Sequence, residues 1–505
     1  MPPDRRPWLL PLLALLYLLP FPYFPALRSP NEGSRLYQVR ALVDDHSFAV
    51  NAQLRRYGPI GDLAQYEGRL YPNKAPGISI LGAAVYAAAK AVVGWDPDRV
   101  TNAALLYLLR ALCCAIPTLI FLWALRRRLW AWTGGGIAAD ATIVAYALGS
   151  LAYTYGLLFF SHQLCAVLLA GAFLLLETAR EEDRLVPAAW AGLCAGGAVL
   201  VEYTAALAAL PLGLYAVFAL RRRLKATLAF GLASLPPQLA LLAYHQAAYG
   251  SPFETGYRHN VNQQFQAWHS HGFMGVGWPT WNALGGSFFD PEHGMLIFSP
   301  FLVMAPLGMW LLFKEPKRRP AAVLLAALTV LYALFTASFV YDAWGWTVGP
   351  RHLAPLAAFA ALPAGVAVAF LRRRSPLWGG LAAGLCVLSV LVTGLATVTY
   401  PHIPDAVFGN AFFEVTLPLL VSGYLPRTVL SFFGAGSWVW ALYFAAFLGT
   451  TLWLVLAVPG AGAGRPTALV TAVLALALLS VSGKELNPAA KRAQLAFIER
   501  TYRSP

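Results

Sequence analysis

Charged side chains are scarce in this sequence: 12% of its 505 residues, where a soluble globular chain carries roughly a quarter. With 58% of the residues hydrophobic, most of the chain meets lipid rather than water, which excludes a water-soluble domain as its bulk. Acidic residues are scarcer still, 23 against 37 Lys and Arg, for a formal charge of +14. The excess does not form a nucleic-acid-binding surface. It comes as short clusters between apolar runs: Arg126-Arg127-Arg128, Arg221-Arg222-Arg223 with Lys225, Lys314 to Arg319, and Arg372-Arg373-Arg374. This is the distribution of cationic loops held on the cytoplasmic side of a membrane. Cysteine is rare. Cys113, Cys114, Cys165, Cys194 and Cys386 all fall in apolar runs without metal-ligand spacing, so buried thiols are expected. No linker, low-complexity tract or repeat divides the chain, and no nucleotide-binding loop is evident; Gly460-Ala461-Gly462-Ala463-Gly464 follows no strand.

What is present is a series of apolar segments long enough to cross a bilayer, which takes about 20 residues. Trp8–Leu27, Val100–Leu125, Ala321–Val340 and Leu377–Val398 are the clearest. The first follows Arg5-Arg6, lacks a small-residue cleavage site and is expected to stay as an anchor. Placing every basic cluster inside fixes the parity of crossings. The expected fold is an all-α polytopic membrane protein of about 13 transmembrane helices, N-terminus cytoplasmic and C-terminus outside, in the inner (cytoplasmic) membrane. Parity also requires one apolar segment to lie along the outer surface, and Ala75–Val93, interrupted by Lys90, is assigned as that juxtamembrane helix. The outer segment 28–99 holds nine Lys and Arg, against the orientation rule, either as lipid-headgroup contacts or as ligand contacts.

By this parity the polar residues without a structural reason gather on one face, the outside. They are Asn31-Glu32-Gly33-Ser34-Arg35, the run from Asp62 to Lys74-Ala75-Pro76, Ser161-His162-Gln163, Glu202-Tyr203, and Asp342 to His352 with Trp344 among them. Ionisable groups at membrane level are costly and mark functional sites. A further outer stretch, 250–294, interleaves Trp268, Trp278 and Trp281 with amides and histidines, which suits sugar stacking or an interfacial aromatic belt.

Glu32 followed by Ser34-Arg35, a later outer loop ending Lys74-Ala75-Pro76, Phe160-Ser161-His162, and Gly349-Pro350-Arg351-His352-Leu353 together resemble the GT-C class of membrane glycosyltransferases. The nearest shapes are the protein O-mannosyltransferases and lipid A aminoarabinose transferases. The resemblance spans about residues 8–371, giving a catalytic membrane core over 1–371 and additional C-terminal helices over 372–505. It implies a sugar donor carried on polyprenyl phosphate, with transfer to a glycan, lipid or protein acceptor on the extracytoplasmic face. Membrane lipids are the other partners and nucleic acid is not one.

On the matching positions, Glu32 takes the role of catalytic base, its bland alternative being a helix-start residue. Lys74 contacts the donor phosphate, with Arg351 and His352 holding it from the other side. Asn31, Arg35, Asp62, His162, Glu202, Tyr203 and Trp344 are substrate-binding candidates. Relatives often carry Asp-Glu where this chain has Asn31-Glu32, so metal use is left open and no metal ligands are assigned. Asp96-Pro97-Asp98 is read as a helix cap. The competing functions are a transporter or flippase for lipid-linked glycans, for which Arg110 within a span is the main support, and a glycan polymerase or ligase.

Overall fold

The structure is a computed structural model, described here for residues 6–24, 29–96, 100–272, 275–339, 345–403, 409–459, 462–482 and 488–503. It is an α-helical, multi-pass membrane protein. Among the described residues seven helices are long and apolar enough to cross a bilayer, and further apolar helices are shorter.

The first apolar run is only partly helical. Helix α1 covers Leu9–Leu18, ten residues or about 15 Å, half of a bilayer core. Pro20 and Pro22 stop it, because proline cannot donate to the helical ladder. The chain continues as strand β1 (Pro20–Phe21), which pairs with β4 (Arg427–Thr428). Helix α2 (Pro30–Asp44) starts with proline in its first turn and Glu32 beside it, where an acid favours the positive helix end. Strands β2 (Leu63–Tyr66) and β3 (Arg69–Pro72) then form a tight hairpin through Glu67 and Gly68, both at positive φ (48° and 76°). Helix α3 (Gly77–Val93) packs against α2.

Helix α4 (Asn102–Thr133) is capped by Thr101, whose side chain accepts the Ala104 N–H; the cap is therefore not the Asp-Pro-Asp run upstream, of which 97 and 98 lie outside the described residues. It carries a π-helical turn at Ala111–Ala115, just before Pro117, whose missing N–H interrupts the regular ladder. Helices α5 (Gly136–Leu148), α6 (Ser161–Glu182), α7 (Leu185–Val201), α8 (Tyr203–Ala219) and α9 (Leu224–Tyr249) follow. Next come α10 (Pro300–Lys314), α11 (Arg319–Ser338), α12 (Arg351–Arg374), α13 (Pro376–Thr399), α14 (Val439–Ala457) and α15 (Gly464–Ser480). Helix α12 is the centre: 94% of its apolar window is buried, against 22% for α9, which faces outward.

With little polar contrast between helix and lipid, these helices associate by close packing of small residues. Gly192 and Gly196, four apart on α7, press against α9: a Cβ would lie 1.9 Å from the Phe230 carbonyl oxygen at the first and 2.4 Å from that of Ser234 at the second. Gly192→Val is accordingly expected to push α7 off α9 and lower the melting temperature of the detergent-solubilised protein. Gly171→Val, at a glycine with no neighbour within 4 Å of its Cβ, is expected to leave it unchanged. Equal melting of both variants and wild type would contradict this packing.

At the basic end of the bundle Asp140, fully buried, is held by Arg6 and Arg126, with the Trp130 indole N–H donating to it at 3.2 Å. All five cysteines are free thiols, four of them buried and Cys194 half-buried.

Candidate functional site

Helix α2 is the frame of the site. Glu32 and Arg35 lie one turn apart on it, about 4.5 Å along its axis, and each meets a different part of the segment leading into α6. The Phe159 N–H donates to Glu32 Oε1 at 2.7 Å, while Arg35 Nη2 donates to Ser161 Oγ at 2.9 Å. The short run from Phe159 to Ser161 thus lies alongside α2 and separates two polar groups.

On the Arg35 side, the Ser161 hydroxyl donates to Glu202 Oε2 at 2.6 Å, and His162 Nδ1 lies 3.7 Å from the same oxygen. Glu202 ends α7, buried rather than solvated. Lys74 reaches this group because the β2–β3 hairpin returns the chain beside its own start: the Asn73 N–H donates to the Asp62 carbonyl at 3.0 Å, and Lys74 Nζ stands 3.7 Å from Asp62 Oδ1. Gly77 then lets the start of α3 meet the end of α7, since a Cβ there would lie 2.6 Å from the Leu200 carbonyl oxygen. The His162 and His352 rings sit 5.3 Å apart. Tyr257 places its ring 5.6 Å from Lys74 Nζ and stacks on His269 at 4.3 Å.

Lys74, Arg35 and Arg351 are within electrostatic reach of one another and of Asp62 and Glu202, so three cations face two carboxylates. Burial pushes Lys74 below the usual lysine range, Arg351 and Arg35 push it further down, and Asp62 and Glu202 oppose them. Four buried nitrogens of this group, Arg35 Nε, Arg351 Nε, His162 Nε2 and His352 Nδ1, have no hydrogen-bond partner among the described residues. Buried polar groups without partners are rare. Together with the unbalanced charge, they describe a site shaped for an anion with several acceptor oxygens.

On the Glu32 side, Arg110 donates from Nε to Oε1 at 2.8 Å and from Nη2 to Oε2 at 2.6 Å, and from Nη1 to the Pro22 carbonyl at 3.0 Å. Arg110 immediately precedes the π-helical turn of α4. Burial raises the Glu32 carboxyl, but Arg110, His402 and the Phe159 N–H outweigh it and hold it below the ordinary range. Glu32, Arg110 and His402 line a cavity of about 230 Å³. His402 Nδ1 lies 3.2 Å from the Trp346 carbonyl, and burial lowers its pKa from 6.5 to about 4.

The structure thus brings together Arg35, Asp62, Lys74, His162, Glu202, Arg351 and His352, with Asn31 bonded to Arg35 beneath them. Tyr203 stands at the edge, its hydroxyl 2.9 Å from His245 Nε2 and its ring 5.6 Å from Tyr257. Glu32 faces the adjoining cavity, and Trp344 lies outside the described residues. Of the outer tryptophans read as a sugar-stacking surface or an interfacial belt, Trp278 and Trp281 are 92% and 86% exposed and Trp268 is half-buried. Among the described residues no group of three or more metal-binding side chains is assembled. Sequence reasoning missed Tyr257 and His402, which carry no motif, and did not pair Arg110 with Glu32, although a lone arginine within a span calls for an acid.

His402 supports a pH prediction. A group neutral in the folded state down to about pH 4 but titrating near 6.5 when unfolded makes stability fall on acidification between those values, by on the order of 3 kcal/mol for the full shift. Glu32, held below its ordinary range, loses its own contribution only at lower pH. His402→Gln is therefore expected to flatten the loss of thermal stability from pH 6.5 to 5; an unchanged slope would contradict the assignment.

No protein-family model matches the sequence, and neither does any curated protein. Among solved structures, the chain is similar to ArnT from Cupriavidus metallidurans bound to undecaprenyl phosphate, with TM-score 0.49 and 15% identity over 95% of this chain and 77% of that one. It is also similar to the arabinosyltransferase EmbB from Mycobacterium smegmatis, with TM-score 0.48 and 15% identity over 98% of this chain. The chain spans 41% of the length of EmbB. A third is the archaeal oligosaccharyltransferase AglB from Archaeoglobus fulgidus, in complex with an inhibitory peptide and a dolichol-phosphate, with TM-score 0.40 and 12% identity over 88% of this chain and 56% of that one.

Proposed function

We propose that this chain is a GT-C-type glycosyltransferase that moves a sugar from a polyprenyl-phosphate donor to an acceptor on the extracytoplasmic face of the cytoplasmic membrane. The observation that carries the proposal is the buried cation group Lys74, Arg35 and Arg351, incompletely balanced by Asp62 and Glu202 and supplied with unpartnered nitrogens. A lipid phosphate matches it in charge and acceptor oxygens, and as the leaving group it gains negative charge in the transition state, where fixed cations act most strongly. Undecaprenyl phosphate in the ArnT structure and dolichol-phosphate in that of AglB are ligands of this class. The proposal itself rests on the arrangement of charge.

In the proposed reaction the acceptor hydroxyl oxygen bonds to the anomeric carbon. The bond from that carbon to the phosphate oxygen breaks, and its electron pair leaves with the phosphate. The hydroxyl proton passes to Glu32. A carboxylate below the ordinary range is ionised at neutral pH and takes the proton late, once the acceptor oxygen has begun to bond. A carboxylate offers about four lone-pair positions. Three of those on Glu32 are occupied, which leaves Oε2 one for the acceptor. The basic loops keep the opposite ends of the helices cytoplasmic, so the site opens outward. Arg110, the charge that favoured a transport path, is engaged by Glu32 and Pro22.

Proteoliposomes given radiolabelled sugars on polyprenyl phosphate and a membrane-glycan extract test the proposal. Transfer of label is expected. Lipid crossing the bilayer with its sugar still attached would instead make the chain a transporter.

A further inference from the structure

We infer that the cavity on the Glu32 side of α2 is the acceptor subsite and that it takes a neutral carbohydrate hydroxyl; this rests on the glycosyltransferase reading above. The two faces of α2 differ in charge. On the Arg35 side, three cations outnumber two acids. On the Glu32 side, the one guanidinium lining the cavity among the described residues, Arg110, is neutralised by Glu32 through two hydrogen bonds and spends a third on the Pro22 carbonyl. Arg40, behind the lining residues Tyr57 and Asn102, is held by Asn102, the Val100 carbonyl and Asp44, so among the described residues an anionic acceptor would meet committed cations and the unused lone pair of Glu32.

The other lining groups are those that suit a sugar ring. Tyr23, Phe24 and Tyr37 line it with aromatic side chains, and Tyr57, its ring met by Arg40 and Arg56, stands 5.9 Å from Tyr37, while Glu32 and His402 supply hydrogen-bonding edges. Aromatic faces hold the C–H face of a ring while polar groups at its edge bind hydroxyls. His402, with its pKa at about 4, is neutral at physiological pH; with Nδ1–H donating to the Trp346 carbonyl, Nε2 is left to accept from a hydroxyl. The volume, about 230 Å³, falls below the ~300–1,000 Å³ typical of small-molecule pockets. It therefore fits one ring, the terminal residue of a glycan, better than a peptide side chain with its flanking backbone.

Ser29 lines the same cavity, and its side chain makes no cap hydrogen bond to α2. In the full-length purified protein, Ser29→Cys provides a thiol for labelling by a methanethiosulfonate reagent, the native cysteines being buried or half-buried. Methyl hexopyranosides and pentofuranosides at tens of millimolar are expected to slow labelling, whereas glucuronate and a threonine-containing peptide are not. Adding His402→Leu should weaken the protection roughly threefold or more, the worth of one neutral hydrogen bond. Protection by glycosides should survive in Lys74→Ala, which separates this site from the donor site. Protection by the peptide would make the acceptor a protein, and equal protection by glucuronate or none by any glycoside would overturn the inference. Glycoside protection in a protein that binds no polyprenyl phosphate would leave this cavity a carbohydrate site and sink the glycosyltransferase reading instead.

Discussion

Lys74→Ala is expected to abolish transfer from polyprenyl-phosphate donors, with a loss of about a hundredfold or more, while leaving the protein folded and at least as stable as wild type. The size of the effect follows from the role: one fixed charge or donor aimed at developing negative charge is worth about 10²–10³ in rate. Stability is spared because the fold gains little from this charge. Burial disfavours the ammonium and Arg351 and Arg35 repel it, against the opposing charges of Asp62 at 3.7 Å and of Glu202. A pKa held below the ordinary 10.5 means that the charged lysine opposes folding, and stability rises as pH climbs through the folded value toward the unfolded one. Groups kept against such a cost cluster at functional sites. Lys74→Met should remove that alkaline gain in thermal stability together with the transfer activity. A variant that loses stability in step with activity would point to a structural lysine.

Glu32→Gln is expected to lower transfer by about 10²–10⁴, the usual contribution of a positioned general base. Here the structural cost is real and needs a control. The Glu32–Arg110 pair is buried, and removing one partner of such a pair costs about 3–5 kcal/mol by leaving the other charge uncompensated. Glu32→Gln combined with Arg110→Met removes both charges and is expected to recover much of the stability. If Glu32 acts as base, activity stays low in the double variant although the fold is restored. Recovery of transfer along with stability would show that the carboxylate serves only to hold Arg110.

The apolar character was legible in the sequence because a bilayer imposes one dominant demand, about 20 apolar residues, and among the described residues seven helices meet it. Where local rules compete with that demand the reading slipped. Trp8–Leu27 is apolar enough to span, but Pro20 and Pro22 cut its helix at Leu18 and turn the chain into a strand. Lys74 beside Asp62 was also accessible, since the two belong to one hairpin and face each other across its open end. Glu32 and Arg110 are 78 residues apart on different helices, and their pairing depends on how α2 docks beside the π-helical turn of α4. His402 reaches the cavity from the loop after α13, with no spacing to announce it.

The central claim, that the buried cations around Lys74 hold a lipid phosphate, is tested most directly by binding rather than turnover. Protein purified with radiolabelled polyprenyl phosphate or the corresponding polyprenol should retain the phosphate and not the alcohol, and Lys74→Ala and Arg351→Ala should each lose the difference. Equal retention of phosphate and alcohol by wild type, or phosphate retention unchanged in both variants, would contradict it.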